Sequence, residues 1–195
     1  MKIKRINLRK LGAMSMSKDL VLALDIGTTS AKAVIFEKNG KLVVEAERMI
    51  TSHYPEQEWV EQDPIEIELA SRGAIQDAMK KGNLAPEDLS AMGFSAAMHS
   101  LICVDENFNP LSNAIIWADG RSLEQARELR ASIAGDEIYA NTGLPNHPMS
   151  PLSKLLWMKE TNFEPYHKAT YFMSAKEYVI QKWFGVRKID YAMAS

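Results

Sequence analysis

Six consecutive residues, Asp25-Ile26-Gly27-Thr28-Thr29-Ser30, place one carboxylate, one glycine and three hydroxyls where an apolar run meets a turn. In phosphoryl transfer a protein chiefly positions the reactants and neutralises charge. A carboxylate at a strand end can hold Mg²⁺ there, directly or through water, while turn amides and hydroxyls face phosphate oxygens. Asp25 is then the metal-side group. Gly27 lets the backbone approach a ligand closely, Thr28, Thr29 and Ser30 supply donors, and Lys32 brings a cation toward the same anion. The plain alternative is a polar hairpin turn, because Asp, Gly, Ser and Thr are common turn formers.

The flanking residues say which elements carry this loop. Leu20, Val21, Leu22, Ala23 and Leu24 form a short apolar run suited to a buried strand, so Asp25 arrives at a strand end. Downstream, Ser30-Ala31-Lys32-Ala33-Val34-Ile35-Phe36-Glu37 is rich in apolar and β-branched residues, and Asn39-Gly40 supplies a hairpin turn before a third strand near residues 43–50. The cradle therefore belongs to a β-hairpin. This excludes the P-loop, which needs two glycines, a Lys-Ser/Thr pair and a following helix, and equally the GxGxxG dinucleotide turn.

Farther along, residues 53–64 read as an acidic loop anchored by Trp59. Asp63-Pro64 has the form of an N-cap followed by proline at the first helical position. Ile65, Leu69, Ala70, Ala74, Ile75, Ala78 and Met79 give the helical stripe, which Gly82-Asn83 should end. Residues 89–95 and 100–104 read as two more strands, with a candidate functional turn at Ala96-Ala97-Met98-His99 between them. A strand over 114–117 ends in Ala118-Asp119-Gly120-Arg121, and residues 122–134 read as one amphipathic helix stopped near Gly135. Further helices are expected over 151–160 and 175–184. The order β-β-β-α-β-β-α followed by helices describes an α/β domain with a mixed sheet, antiparallel at first because hairpins join its strands. That is the outline of an actin-like ATPase (ribonuclease H-like) half, its sheet flanked by helices.

A chain of 195 residues with 46% hydrophobic content can bury a substantial core. Its net charge of -2 gives no pull toward nucleic acid or an anionic membrane surface. The single cysteine, Cys103, lies in Leu101-Ile102-Cys103-Val104, a strand interior, so no disulfide framework is expected and a reducing cytosol fits. Residues 1–18 are basic but lack the apolar core of a signal peptide, and are expected to form a flexible extension of a cytoplasmic protein. The four histidines and Cys103 show no zinc-ligand spacing.

Five segments in order resemble the FGGY family of carbohydrate kinases, most of all its bacterial gluconate kinases, from about Leu20 to Ser195. They are Leu24-Asp25-Ile26-Gly27-Thr28-Thr29-Ser30, Glu58-Trp59-Val60-Glu61-Gln62-Asp63-Pro64, Phe94-Ser95-Ala96-Ala97-Met98-His99-Ser100 and Ile115-Ile116-Trp117-Ala118-Asp119-Gly120-Arg121-Ser122, then His147-Pro148-Met149-Ser150-Pro151-Leu152-Ser153-Lys154-Leu155-Leu156-Trp157-Met158. The last departs from the family signature near its end, where Thr161 stands in place of an amide, Glu or His.

The resemblance implies ATP-dependent phosphorylation of gluconate to 6-phosphogluconate, with xylulose or another pentulose or polyol as the alternative acceptor. It implies ATP and Mg²⁺ at Asp25, Gly27, Thr28, Thr29, Ser30 and Lys32. It lines the polyol cleft with Met98, His99, Trp117, Asp119, Arg121 and Met149. His99, Asp119 and Arg121 suit hydroxyl groups, and Trp117 suits the C–H face of a sugar. Read without the resemblance, Met98 and Trp117 are core residues, His99 is a turn residue, and Asp119 and Arg121 are a surface pair or helix cap. His147 reads as structural and Lys154 as a solvated helix face. The family's catalytic base is an aspartate that falls beyond Ser195, so no residue up to Ser195 is assigned that role, and a second, C-terminal lobe completes the adenine site. The expectation is accordingly an N-terminal kinase lobe over 19–195, truncated at its C-terminal end, with a catalytically incompetent fragment or ligand-binding remnant as the contrasting class. A homodimer is expected of the full-length form.

Overall fold

The computed structural model describes residues 19–191. The basic leader at 1–18, with its expected flexibility, lies outside the described residues, and so does the end of the expected lobe, residues 192–195. In chain order the elements are β1 (Leu20–Ile26), β2 (Ser30–Glu37), β3 (Leu42–Met49), β4 (Glu61–Gln62), α1 (Pro64–Lys81), β5 (Leu89–Ala96), β6 (Ile102–Val104) and β7 (Ala114–Ile115). Then follow α2 (Leu123–Arg130), α3 (Ile133–Thr142), α4 (Pro151–Glu160), α5 (Glu164–Lys168), β8 (Tyr171–Met173) and α6 (Ala175–Phe184).

The main sheet has the order β3-β2-β1-β5. Antiparallel pairing joins β1 to β2 and β2 to β3, whereas β1 and β5 run parallel. The β2–β3 turn forms as the Asn39-Gly40 pair predicts: Gly40 takes φ +88° and its amide donates to the Glu37 carbonyl at 2.9 Å. Alternation decides the faces. Leu20, Leu22, Leu24 and Ile26 of β1 are buried with Ala31, Ala33 and Ile35 of β2, while Asp25 looks the other way and is exposed. Fully burying each Leu or Ile contributes about 1.5–3 kcal/mol, so this face is what holds the hairpin in register.

Helix α1 covers that face. Asp63 caps it, its Oδ1 accepting from the Ile65 amide at 2.8 Å, and Pro64 occupies the first turn. The buried stripe is Ile67, Ala70, Ala74 and Ala78, whereas Ile65 and Leu69, expected on it, are exposed. Small alanines let α1 lie close to the sheet, and the bulkier pair falls on the outer edge of the stripe. Helix α6 packs beside α1, where the Trp183 indole donates to Glu68 Oε1 at 2.5 Å.

Three other expectations need correction. The segment at 53–64 contains the short strand β4, which pairs with β7. The strand expected at 100–104 leaves the main sheet and pairs, as β6, with β8. The single helix expected over 122–134 is two helices, α2 and α3, because Ser132 caps a new start, accepting from the Gly135 amide at 3.0 Å. Gly135 thus sits inside the first turn of α3 instead of stopping a helix. A Cβ there would lie 1.8 Å from the Leu129 carbonyl oxygen, so the α2–α3 corner demands glycine. Among the described residues no helix is long and apolar enough to cross a membrane.

Candidate functional site

The β1–β2 turn is tight: the Gly27 amide donates to the Ser30 carbonyl at 2.9 Å. A Cβ on Gly27 would come within 3.1 Å of that oxygen, so close approach explains the glycine, whose φ is not positive. Distant segments then fix the loop from several sides. The Gln62 side-chain amide donates to the Thr28 carbonyl at 2.6 Å, the Ile50 amide to the Thr29 carbonyl at 2.9 Å, and the Trp117 indole to Thr28 Oγ1 at 2.8 Å. At the strand end beneath, the Ala97 amide donates to the Ile26 carbonyl at 2.8 Å.

Asp25 lies opposite Lys32 on β2 and Ser95 on β5, on the exposed face of the sheet. The Lys32 ammonium pairs with Glu45 Oε2 at 3.1 Å, both side chains being nearly half exposed. Such a pair contributes about 0–1 kcal/mol, so Lys32 can exchange its partner for an anion. Thr29 is exposed at the tip of the loop, and Ser30 opens β2 half-buried. An exposed carboxylate beside hydroxyl-rich turn residues is the oxygen donor set that a hard cation such as Mg²⁺ accepts.

Gly27, Thr28, Met98 and Trp117 border one narrow groove of about 10 Å³, which Ile67 and Ile116 also line, whereas His99 and Met149 do not reach it. The phosphate-type hairpin and the 96–99 turn therefore meet, although 70 residues separate Thr28 from Met98 by the numbering of the chain. Trp117 and Met98 are partly exposed along this groove, at 48% and 37%, so they are wall residues and not core. His99 stands in a left-handed backbone conformation, φ +67°. Burial, then the charges of Lys154 and His147, holds its imidazole below the ordinary range, so it is neutral at pH 7 and both donates and accepts. Met149 is half-buried two residues ahead of α4, its amide donating to His147 Nδ1 at 3.2 Å.

Asp119 and Arg121 lie behind the groove wall, their side chains at 0% exposure, and are not a surface pair. Asp119 Oδ2 accepts from the Val60 amide at 2.6 Å and from Arg121 Nη2 at 2.8 Å, and its Oδ1 accepts from the Arg121 amide and Nε. Arg121 Nη2 also meets Glu61 Oε1 at 2.7 Å. The guanidinium stacks 3.9 Å from the Trp59 ring centre and 5.1 Å from that of Trp157. Its Nη1 makes no hydrogen bond, a loss that the two indoles offset by cation–π attraction. Here the acidic loop acquires its meaning: Trp59 stacks, Val60 and Glu61 lock onto Asp119 and Arg121, Gln62 grips Thr28 and Asp63 starts α1.

Lys154 overturns its expected place on a solvated helix face. Its side chain is fully buried, and the ammonium donates to the carbonyls of His99 at 2.5 Å, Ile116 at 2.9 Å and Ile115 at 3.2 Å. Burial pushes its pKa down to about 7, while Asp119 opposes that shift and Arg121 adds to it. The sequence carried a sign of this: Trp157 and Met158, three and four residues on, share the helix face of Lys154 and are buried. Cys103 is buried as expected, 3.8 Å from Met158 Sδ, and burial pushes its thiol up to about 11, so it is no nucleophile.

Comparison with known proteins gives a consistent result. The model of the FGGY family of carbohydrate kinases, N-terminal domain, matches residues 20–195. The chain is 40% identical over 176 residues to a gluconokinase of Bacillus subtilis, covering 90% of this chain and 34% of that protein. A crystal structure of gluconate kinase from Lactobacillus acidophilus superposes with a TM-score of 0.84 at 31% identity, covering 90% of this chain and 35% of that one. A ligand-bound xylulose kinase structure from Lactobacillus acidophilus gives the same TM-score, identity and coverage. The chain spans about a third of the length of the relatives it matches.

Proposed function

From the premise that this chain belongs to the FGGY family of carbohydrate kinases, with the actin-like ATPase fold of that family, we propose that it is the acceptor-side lobe of an ATP-dependent gluconate kinase. The observation that carries the reading is the groove in which the Gly27-Thr28 turn and the Met98 and Trp117 wall meet, joined by the Trp117–Thr28 hydrogen bond. The groove itself holds about 10 Å³, so a phosphate facing the exposed hairpin and a hydroxylated ligand facing the exposed sides of Met98 and Trp117 would be neighbours over it, not inside it.

In this reading the acceptor hydroxyl oxygen forms a bond to the γ-phosphorus, the bond from that phosphorus to the β,γ-bridging oxygen breaks, and ADP leaves. Gly27, Thr28, Thr29, Ser30 and Lys32 orient the phosphates. Asp25 would hold Mg²⁺, which neutralises phosphate charge when bound. Met98, His99, Trp117 and Met149 face the sugar acid, and neutral His99 offers both a donor and an acceptor to its hydroxyls. Asp119 and Arg121 serve from behind by fixing the wall. The base that takes the acceptor proton is assigned to no residue of this chain, and we propose that a second lobe supplies it and excludes water by closing. A cytoplasmic location and a homodimeric assembly complete the proposal.

Xylulose or another pentulose is the second acceptor reading, favoured by the equal likeness to a xylulose kinase structure. ATP-dependent phosphorylation by the intact protein, compared across gluconate, xylulose, ribulose and glycerol, tests both. Turnover highest on gluconate is the expected result, preference for xylulose selects the second reading, and turnover of none refutes the kinase reading.

A further inference from the structure

Lys154 has no part in the chemistry above, yet it is among the largest fully buried side chains of the described residues. Its three carbonyl partners come from two segments that are otherwise joined here by the reciprocal Leu101–Ile115 backbone hydrogen bonds, at 2.9 and 3.0 Å. His99 belongs to the turn after β5, and Ile115 and Ile116 belong to β7 and the residue just after it, next to Trp117. Three acceptors around one ammonium match its three N–H donors, the arrangement of a bound cation with a covalent tether. His99 also carries a left-handed backbone that a non-glycine residue holds only when its surroundings impose it.

We propose that Lys154 is the positioning residue of the acceptor wall: its ammonium holds the His99 carbonyl and the Ile116 carbonyl at one point, and so sets the spacing between the Met98-His99 turn and Trp117. This rests on the reading of that groove as the acceptor site. A neutral amine keeps only two donors and turns a lone pair on the third carbonyl, so the clamp is complete only when Lys154 is protonated. The charged or titratable groups facing it are Asp119 and Arg121, from the segment after β7, and His99. Asp119 and Arg121 are bonded to each other, and His99 is held neutral, so none of them substitutes for the ammonium.

The test uses the intact protein with Lys154→Met, which keeps an unbranched apolar stem and removes the charge. The expected result is a KM for gluconate raised at least about tenfold, the size of losing a hydrogen bond to a charged group. The KM for MgATP should change by less than about twofold, because the β1–β2 hairpin has its own ties. Amide hydrogen exchange should quicken over residues 98–101 and 116–118 and stay unchanged in β1 and β2. In the unmodified protein the gluconate KM should rise as pH is raised through about 7, with a flat KM for MgATP, a measurement that needs no variant. Unchanged gluconate KM with unchanged exchange overturns the clamp, as does a pH-independent gluconate KM. A protein that phosphorylates no polyol refutes the kinase reading instead, and the exchange measurement then decides the clamp without activity.

Discussion

Trp117 donates its indole N–H to the Thr28 hydroxyl at 2.8 Å, and in doing so closes the two halves of the groove on each other. Thr28 is already gripped through its carbonyl by Gln62, so this one residue answers both to β4 and to the segment after β7. Trp117→Phe keeps the aromatic face and deletes the bond, and Thr28→Val deletes it from the other side. Each should lower kcat/KM by about fivefold, the net worth of one hydrogen bond. In a double-mutant cycle the two losses should fall short of adding by about 1 kcal/mol, and strict additivity would mean that the bond does not couple the two walls.

Asp25→Ala should abolish MgATP turnover, by more than about a thousandfold, because the principal charge facing the metal is lost. The carboxylate is exposed and outside the core, so stability should shift by no more than about 0.5 kcal/mol. Parallel assays of turnover and thermal unfolding check this, and activity near the parental level would reduce the hairpin to an ordinary turn.

Arg121→Met should destabilise the fold by about 3–5 kcal/mol, since it leaves Asp119 buried at 0% exposure without its partner and removes the ion pair of Glu61. Urea unfolding measures it. A loss below about 1 kcal/mol would show that the indoles and not the ion pairs hold this wall.

Lys154 predicts opposite responses of stability and of acceptor affinity to pH. Its folded pKa, about 7, lies below the ordinary lysine value of 10.5, so between those limits the unfolded chain retains a proton that the folded chain has released. Stability therefore rises with pH across that window, and the cost of burying the charge is present in full only below it. Relative to Lys154→Met, the parent protein should gain roughly 2 kcal/mol between pH 7 and about 9, read by denaturant titration at each pH. The acceptor KM should worsen over the same interval.

The hairpin was legible because its cues are local. Alternating apolar residues in β1 and β2, the Asn39-Gly40 turn and the Asp25-to-Ser30 loop each declare themselves within a few positions. The cap of α1 was equally plain. Ile65 and Leu69 misled because an apolar stripe specifies a helix without saying which edge of the stripe meets the sheet. Residues 53–64 looked like a solvated loop because their partners, Thr28, Asp119 and Arg121, lie far off in sequence. Lys154 was misplaced for the same reason: lysine favours the surface, and the three carbonyls that admit it to the interior come from two other segments. Local pattern shows where side chains of one kind gather, but it does not reveal polar groups that compensate one another only after the chain has folded.

The Gly27-to-Thr29 turn grows from the two strands flanking the middle of the sheet and is tethered by Gln62, Ile50 and Trp117 before any nucleotide arrives. Its conformational entropy is thus surrendered during folding and not at the encounter with ligand. On the proposed reading, a phosphate meeting this loop finds a template whose shape is already fixed, and any rearrangement that accompanies binding falls to the proposed second lobe.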